Sequence, residues 1–184
     1  MNIDFQKLRV ANVARQVEWT GNEQADIAFR ALEVADEAGE IAGAVKKLLR
    51  AQRGICGSTK SIEDVADELG DTVIALDLLA NEFGVDLPPP ASAHIFAGSE
   101  PIELALAIDA AIGNLVQGVL GFLDRVGRIP DDDEAGGYIT SRMQTALRLL
   151  IGLSEALGID AGRAVAVKFN KTSAKYRLST RMEV

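Results

Sequence analysis

Apolar residues recur along the chain at intervals of three and four. Ile27, Ala31, Val34, Ala38, Ile41, Val45 and Leu48 fall on one face of a helix starting near Ala25. That helix should end near Arg53-Gly54, with Lys46, Lys47 and Arg50 in its C-terminal part, where the helix dipole favours cations. A loop, Gly54-Ile-Cys-Gly-Ser-Thr-Lys, follows. Ser61 with Asp64 three residues on has the form of a capping box. The next face is Ile62, Ala66, Leu69, Val73, Leu76, Ala80 and Phe83, stopping at Gly84. Pro88, Pro89 and Pro90 then predict a stiff extended connection to about Ser99.

Pro101 suits a first helical turn and opens a third pattern, Ile108, Ile112, Leu115, Val119, Phe122 and Val126. A solvated acidic connection, Asp131 to Glu134, separates it from a fourth: Ile139, Met143, Ala146, Leu150, Leu153 and Leu157. Residues 2–18 and 160–170 read as shorter helices. No segment alternates convincingly at the period of a strand. The expected fold is all-α: a four-helix-bundle core from two tandem helical pairs, plus short N- and C-terminal helices.

The two pairs also align with each other. At an offset of 74 residues, Ala31-Leu32 falls on Ala105-Leu106, Gly39 on Gly113, Val45 on Val119 and Leu49 on Leu123. In the second helices, Leu76 falls on Leu150 and Leu79 on Leu153, and past their ends Gly84 falls on Gly158 and Asp86 on Asp160. One constant offset across both helices and their ends favours duplication over chance. The chain, 1–184, then reads as a single domain: a half over 1–87, a second copy over 100–158 and a basic tail over 160–184.

Composition narrows the chemistry. Apolar residues are 48% of the chain and aromatics only 5%, a balance that suits helices better than sheets. The net charge of −8 makes the chain a poor general binder of nucleic acid or anionic membrane. A phosphate compound would need metal ions as intermediaries. The stretch Leu104 to Leu123 is apolar but carries Asp109, Asn114 and Gln117, and reads as a buried helix, not a membrane span. With no signal-like N-terminus, the cytoplasm is the expected compartment. Cys56 is the one cysteine and His94 the one histidine, so zinc–thiolate clusters, histidine triads and Glu-x-x-His di-iron sites are excluded. Cys56 reads as a passive loop or buried thiol, and His94 as a surface residue.

The remaining polar faces are acidic. Glu33, Glu37 and Glu40 form one stripe, and Asp64, Glu68 and Asp71 another, each at spacings of four and three. In an antiparallel pair the stripes can face each other, and the repulsion is relieved if hard cations such as Mg²⁺ or Mn²⁺ lie between them. Two solvated acidic faces are the structural alternative.

At these residues the chain resembles the MazG-like all-α nucleoside triphosphate pyrophosphohydrolases, relatives of the dimeric dUTPases. Their signature is Glu-Glu-x-x-Glu on one helix and Glu-x-x-Asp on the next; here stand Asp36-Glu37-Ala-Gly-Glu40 and Glu68-Leu-Gly-Asp71. Further similarity lies in Glu18-Trp19, Lys46-Lys47-Leu48, Gly54-Ile-Cys-Gly-Ser58, and the closing Lys168-Phe-Asn-Lys-Thr-Ser-Ala-Lys-Tyr176 with Thr180-Arg-Met. The similar stretches cover about residues 8–87 and 160–182. Two departures stand out: Asp36 replaces the first glutamate, and the second helical pair is inserted before the basic tail.

The resemblance implies metal-dependent hydrolysis of a (deoxy)nucleoside triphosphate to the monophosphate and pyrophosphate, a house-cleaning role. It implies metal ligation by Glu37, Glu40, Glu68 and Asp71, with Glu37 or Asp36 as the proton acceptor. Lys47, Lys168, Lys171 and Lys175 become expected phosphate contacts, and Asn170 and Tyr176 contacts to the sugar or holders of the tail. Trp19 is an expected base platform, with core packing as its alternative. Asn22 is an expected base-edge contact, with helix capping as its alternative. A homodimer is the related assembly, although the second helical pair supplies within one chain what single-copy relatives draw from two. A non-catalytic helical module binding nucleotide–metal or a protein is the competing reading. At the 74-residue offset Ala111, Asn114, Arg142 and Thr145 replace Glu37, Glu40, Glu68 and Asp71, so one site per chain is expected. Arg142 is expected to fill a metal's place, paired with a carboxylate.

Overall fold

The computed structural model describes residues 3–87, 96, 98–125 and 133–184. Six α-helices and one short 3₁₀ turn make up these residues, and no strand forms among them. Helix α1 spans Phe5–Glu18, α2 Ile27–Gln52, α3 Ile62–Glu82, α4 Pro101–Arg125, α5 Asp133–Leu157 and α6 Ala161–Lys175.

Each well-defined start has a local cause. The Asp4 side chain accepts from the Lys7 amide at the start of α1. Asp26 accepts from the Phe29 amide, which moves the start of α2 from the expected Ala25 to Ile27. Ser61 and Asp64 close the expected capping box on α3. Asp160 caps α6, which runs to Lys175, so the expected basic tail is in most part a helix. Asp133 and Glu134, expected in a solvated connection, are instead the first residues of α5. Pro88 to Pro90, His94, Val126, Asp131 and Asp132 lie outside the described residues.

α2 and α3 form one hairpin and α4 and α5 another; α2 packs on α4, and α3 packs on α5, α6 and α1. The shared core includes Val34, Ile41, Leu69, Leu76, Ile108, Leu115, Met143 and Leu150, all buried. Because α3 has neighbours on so many sides, every residue from Thr72 to Ala80 is buried, far more than a single apolar stripe. Ile62, by contrast, counted toward that stripe, is exposed at the end of the helix. A buried polar cluster ties α1 to α3. Arg9 Nε donates to Asp77 Oδ1 (3.1 Å), and Asn12 Nδ2 donates to Asp77 Oδ2 (2.9 Å). Asp77 is thereby buried with its charge paired and hydrogen-bonded.

The 74-residue offset reappears in the backbone. α2 starts at Ile27 and α4 at Pro101. Gly84 and Gly158 both take left-handed φ angles, 64° and 67°. The Val85 amide bonds back to the Ala80 carbonyl at 3.0 Å, and the Ile159 amide to the Ser154 carbonyl at 2.8 Å. The two hairpins therefore end in the same glycine-dependent cap. By length and composition alone, α4 is apolar enough to cross a membrane. Its Leu104, Ile108, Ile112, Leu115 and Val119 are nevertheless buried within the bundle.

Candidate metal and nucleotide site

The two acidic stripes meet at their centres. Glu37 and Glu40 from α2 and Glu68 from α3 each offer a carboxylate oxygen within 4.8 Å of the other two. Asp71 lies one turn beyond Glu68 on α3, close enough to Glu37 to act on its charge. The stripe ends are otherwise engaged: Glu33 pairs with Arg30 at 2.8 Å, and Asp64 caps its own helix.

Crowding shows in the proton affinities. Glu37 is pushed up to about 7, first by burial and then by Asp71, Glu40 and Asp36. Burial, then Glu40, raises Glu68. Burial also raises Asp71, against the opposing pull of Lys168. Glu37 Oε2 is buried with no hydrogen-bond partner. An orphaned carboxylate oxygen inside an all-oxygen donor set is what a hard divalent cation such as Mg²⁺ or Mn²⁺ would satisfy, so these residues fit the ion.

Cations approach from two directions. Lys168 Nζ on α6 lies 2.6 Å from Asp71 Oδ2 and 3.8 Å from Asp67 Oδ2. Burial alone would lower its pKa, but Asp71, Asp67 and Glu68 together outweigh that and raise it. Lys171 pairs with Asp67, not with the glutamates. On the other side, Lys60 Nζ lies 2.9 Å from Asp64 Oδ1 and 3.7 Å from Glu68 Oε1. Lys60 escaped the sequence reading because it sits in a loop with no periodicity. Its one signal was its place immediately before the Ser61 cap, four residues from Asp64.

Two hollows adjoin the carboxylates. A cavity of about 550 Å³ is bordered by Glu33, Glu37 and Asp71 and by Trp19, Asn22 and Phe29. A shallower cleft of about 460 Å³ holds Asp36, Glu40 and Glu68 together with Lys47 and Lys60, over the bare backbone of Gly39 and Gly43.

The structure thus brings Trp19, Asn22 and Lys47 to the carboxylates' surroundings. Trp19 is half-buried, its ring centroid 4.6 Å from that of Tyr176, whose own ring stands exposed at the end of α6. Asn22 begins the 3₁₀ turn Asn22–Gln24, but Gly21 holds the cap position there, and the Asn22 side chain bonds to Arg30 instead. Lys171 and Lys175 are engaged elsewhere, and Asn170 takes the tail-holding one of its two expected roles. Asn170 clamps the C-terminal segment, donating to the Met182 carbonyl at 2.7 Å and accepting from its amide at 2.8 Å. Lys175 Nζ lies 5.2 Å from the Tyr176 ring centroid. Lys171 is held by Asp67, as above. Cys56 is an exposed thiol, not a buried one. In the second hairpin the Arg142 guanidinium stacks 4.5 Å over the Tyr138 ring; among the described residues it pairs with no carboxylate.

Comparison of the chain with protein-family models, with curated proteins and with solved structures yields no match.

Proposed function

We propose that the chain hydrolyses a (deoxy)nucleoside triphosphate to the monophosphate and pyrophosphate, with divalent metal, as its likeness to MazG-like proteins implies. The observation that supports this best is the meeting of Glu37, Glu40 and Glu68 within 4.8 Å beside a cavity that Trp19 helps to line. Mg²⁺ or Mn²⁺ held by Glu37, Glu40, Glu68 and Asp71 would supply charge neutralisation and polarisation of the phosphate. The chain's own residues do the rest. Trp19 offers a face for the base. Lys47 and Lys60 line the cleft beside Glu40 and Glu68, where they neutralise the phosphate tail. Lys168 balances Asp71 until substrate brings further charge. Glu37, or the exposed Asp36 one residue away, accepts the proton of the attacking water.

The decisive experiment is a panel of NTPs and dNTPs with Mg²⁺ or Mn²⁺, products resolved by phosphorus NMR. Pyrophosphate that forms only with metal supports the proposal. Orthophosphate alone, or full activity in EDTA, overturns it. One observation favours the rival reading, a non-catalytic module: the Lys168–Asp71 pair already neutralises part of the acidic cluster. Metal-dependent turnover separates the two.

A further inference from the structure

The cavity beside the carboxylates has a polar wall organised by one residue. Arg30 is buried, yet its guanidinium reaches three side chains that line the cavity. Nη1 donates to Glu33 Oε2 at 2.8 Å, and Nη2 donates to Gln16 Oε1 at 2.8 Å and to Asn22 Oδ1 at 2.5 Å.

Arginine has donors and no acceptor. Both amides must therefore turn their oxygens toward Arg30 and leave their NH₂ groups as the free ends. Neither amide nitrogen has a partner among the described residues, and neither is sealed from solvent. Glu33 has the opposite polarity: one oxygen is taken by Arg30 and the other is free to accept. The fan around Arg30 thus offers two donors and one acceptor to a cavity that Trp19 also lines.

We infer that this wall is a base-reading site and that it selects cytosine. Cytosine presents two neighbouring acceptors, O2 and N3, followed by an amino donor, N4, on one edge. Uracil and thymine place an N–H donor between two carbonyls, which would meet an amide NH₂ head-on. Adenine offers one ring acceptor beside its amino group, and guanine two donors beside one carbonyl. A site built to hydrogen-bond one pattern rejects the others because a mismatched base covers its donors and acceptors and leaves them unpaired. Arg30 is the positioning residue; Asn22, Gln16 and Glu33 are the readers. The inference deepens the nucleotide-hydrolase proposal and rests on it for the presence of a nucleotide in the cavity.

The test separates base reading from chemistry. The full chain is titrated with dCMP, dTMP, dAMP and dGMP in EDTA and again with Mn²⁺, following calorimetric heat and the emission of Trp19, the only tryptophan. The expected result is dCMP tighter than dTMP by about tenfold or more. Asn22→Asp keeps the acceptor that Arg30 needs and replaces the cavity-facing donor with an acceptor. The dCMP:dTMP preference should then fall about tenfold, and Gln16→Glu provides the same reversal at a second position. Equal binding of all four, a purine preference, or an unchanged ratio in both folded variants overturns the cytosine inference and leaves the hydrolase proposal standing. Selective dCMP binding with no turnover of dCTP overturns the hydrolase proposal and keeps the base site. No binding of any nucleotide under either condition overturns both.

Discussion

Lys168 Nζ reaches Asp71 Oδ2 at 2.6 Å because the residue before Asp71 has no side chain. A Cβ on Gly70 would lie 2.8 Å from Lys168 Cβ and 2.9 Å from the Ala164 carbonyl oxygen. One contact is backbone, so neither helix can yield without shifting. Gly70→Ala is expected to push α6 from α3 at a cost of about 1–3 kcal/mol, seen as a lower Tm. Turnover should fall with it, because the lysine loses its register on Asp71. A Tm equal to that of the parent would show that α6 is less tightly seated than this geometry requires.

The two lysines of α6 should behave differently. Lys168 is mostly buried and raises its own proton affinity through three acids, whereas Lys171 is exposed and pairs only with Asp67. Exposed pairs contribute about 0–1 kcal/mol. Lys168→Ala should therefore raise KM for the triphosphate several-fold more than Lys171→Ala, which should leave both KM and Tm almost unchanged. Equal KM changes in the two variants would place the phosphate contact along the whole helix face.

Glu37 gives a pH signature in the metal-free protein. Its folded pKa, about 7, is raised above the ordinary carboxylate value of 4.5. The folded state then binds the proton more tightly, so the native chain loses stability as pH rises from about 4.5 through about 7. The full shift corresponds to roughly 3 kcal/mol, and solvent screening at a half-exposed group reduces it to on the order of 1–2 kcal/mol. In EDTA, Glu37→Gln should be more stable than the parent at pH 8, and the gap should close toward pH 5. Glu40→Gln and Asp71→Asn should each remove most turnover. Chemical denaturation at both pH values checks the first, and the hydrolysis assay checks the second; wild-type rates in both variants would unseat the ligand assignment.

Much of this was legible from periodicity. The capping box at Ser61, the meeting of the two acidic stripes, and the repeat offset all follow from local spacing, which a helix converts directly into geometry. What the sequence hid were contacts between distant segments. Arg30 belongs to no motif or stripe in the sequence, yet it is buried and holds Gln16, Asn22 and Glu33 in place. Nothing local marks a residue whose partners lie up to 14 positions away on another helix. Asn170 takes the tail-holding role that stood as the alternative to a sugar contact, closing a loop onto Met182 that no local spacing specifies. α3 looked amphipathic because its outer positions are acidic at one end only; four packed neighbours make the rest of it core.

The C-terminal segment should release in acid. Glu18 accepts from the Thr180 amide at 3.0 Å, from the Thr180 hydroxyl and from the Ser179 amide. These bonds, Thr180's first, hold its carboxyl down at about 2. A depressed folded pKa stabilises the segment above the ordinary value of about 4.5 and loses that effect as pH falls toward 2. Amide protection factors at Ser179 and Thr180, taken relative to the intrinsic rate at each pH, should therefore fall below pH 4 well before global unfolding. Glu18→Gln should show the reduced protection already at neutral pH. Protection that persists at pH 3 would mean the Asn170 clamp alone suffices.

Each chain is expected to bind one nucleotide, in its first half. The positions equivalent to the four proposed ligands have no carboxylate. Ala111 is buried, Asn114 is exposed, and the exposed Thr145 donates its hydroxyl to the Ser141 carbonyl at 2.9 Å. Arg142 lies over Tyr138, so a cation and an aromatic ring occupy the face where Glu68 stands in the first hairpin. The second hairpin's buried set is intact: Ile108, Ile112, Leu115 and Val119 on α4 meet Ile139, Met143 and Leu150 on α5. Burial contributes about 25 cal/mol per Å² of apolar surface and depends on those faces, not on the carboxylates. A hairpin can therefore lose its chemistry and keep its packing role against α2 and α3. Calorimetric titration with Mn²⁺ and a non-hydrolysable triphosphate should give one site per chain, and restoring a single carboxylate, as in Arg142→Glu, should not create a second. Two equivalent sites per chain would mean that α4 and α5 bind nucleotide through groups other than those at the 74-residue offset.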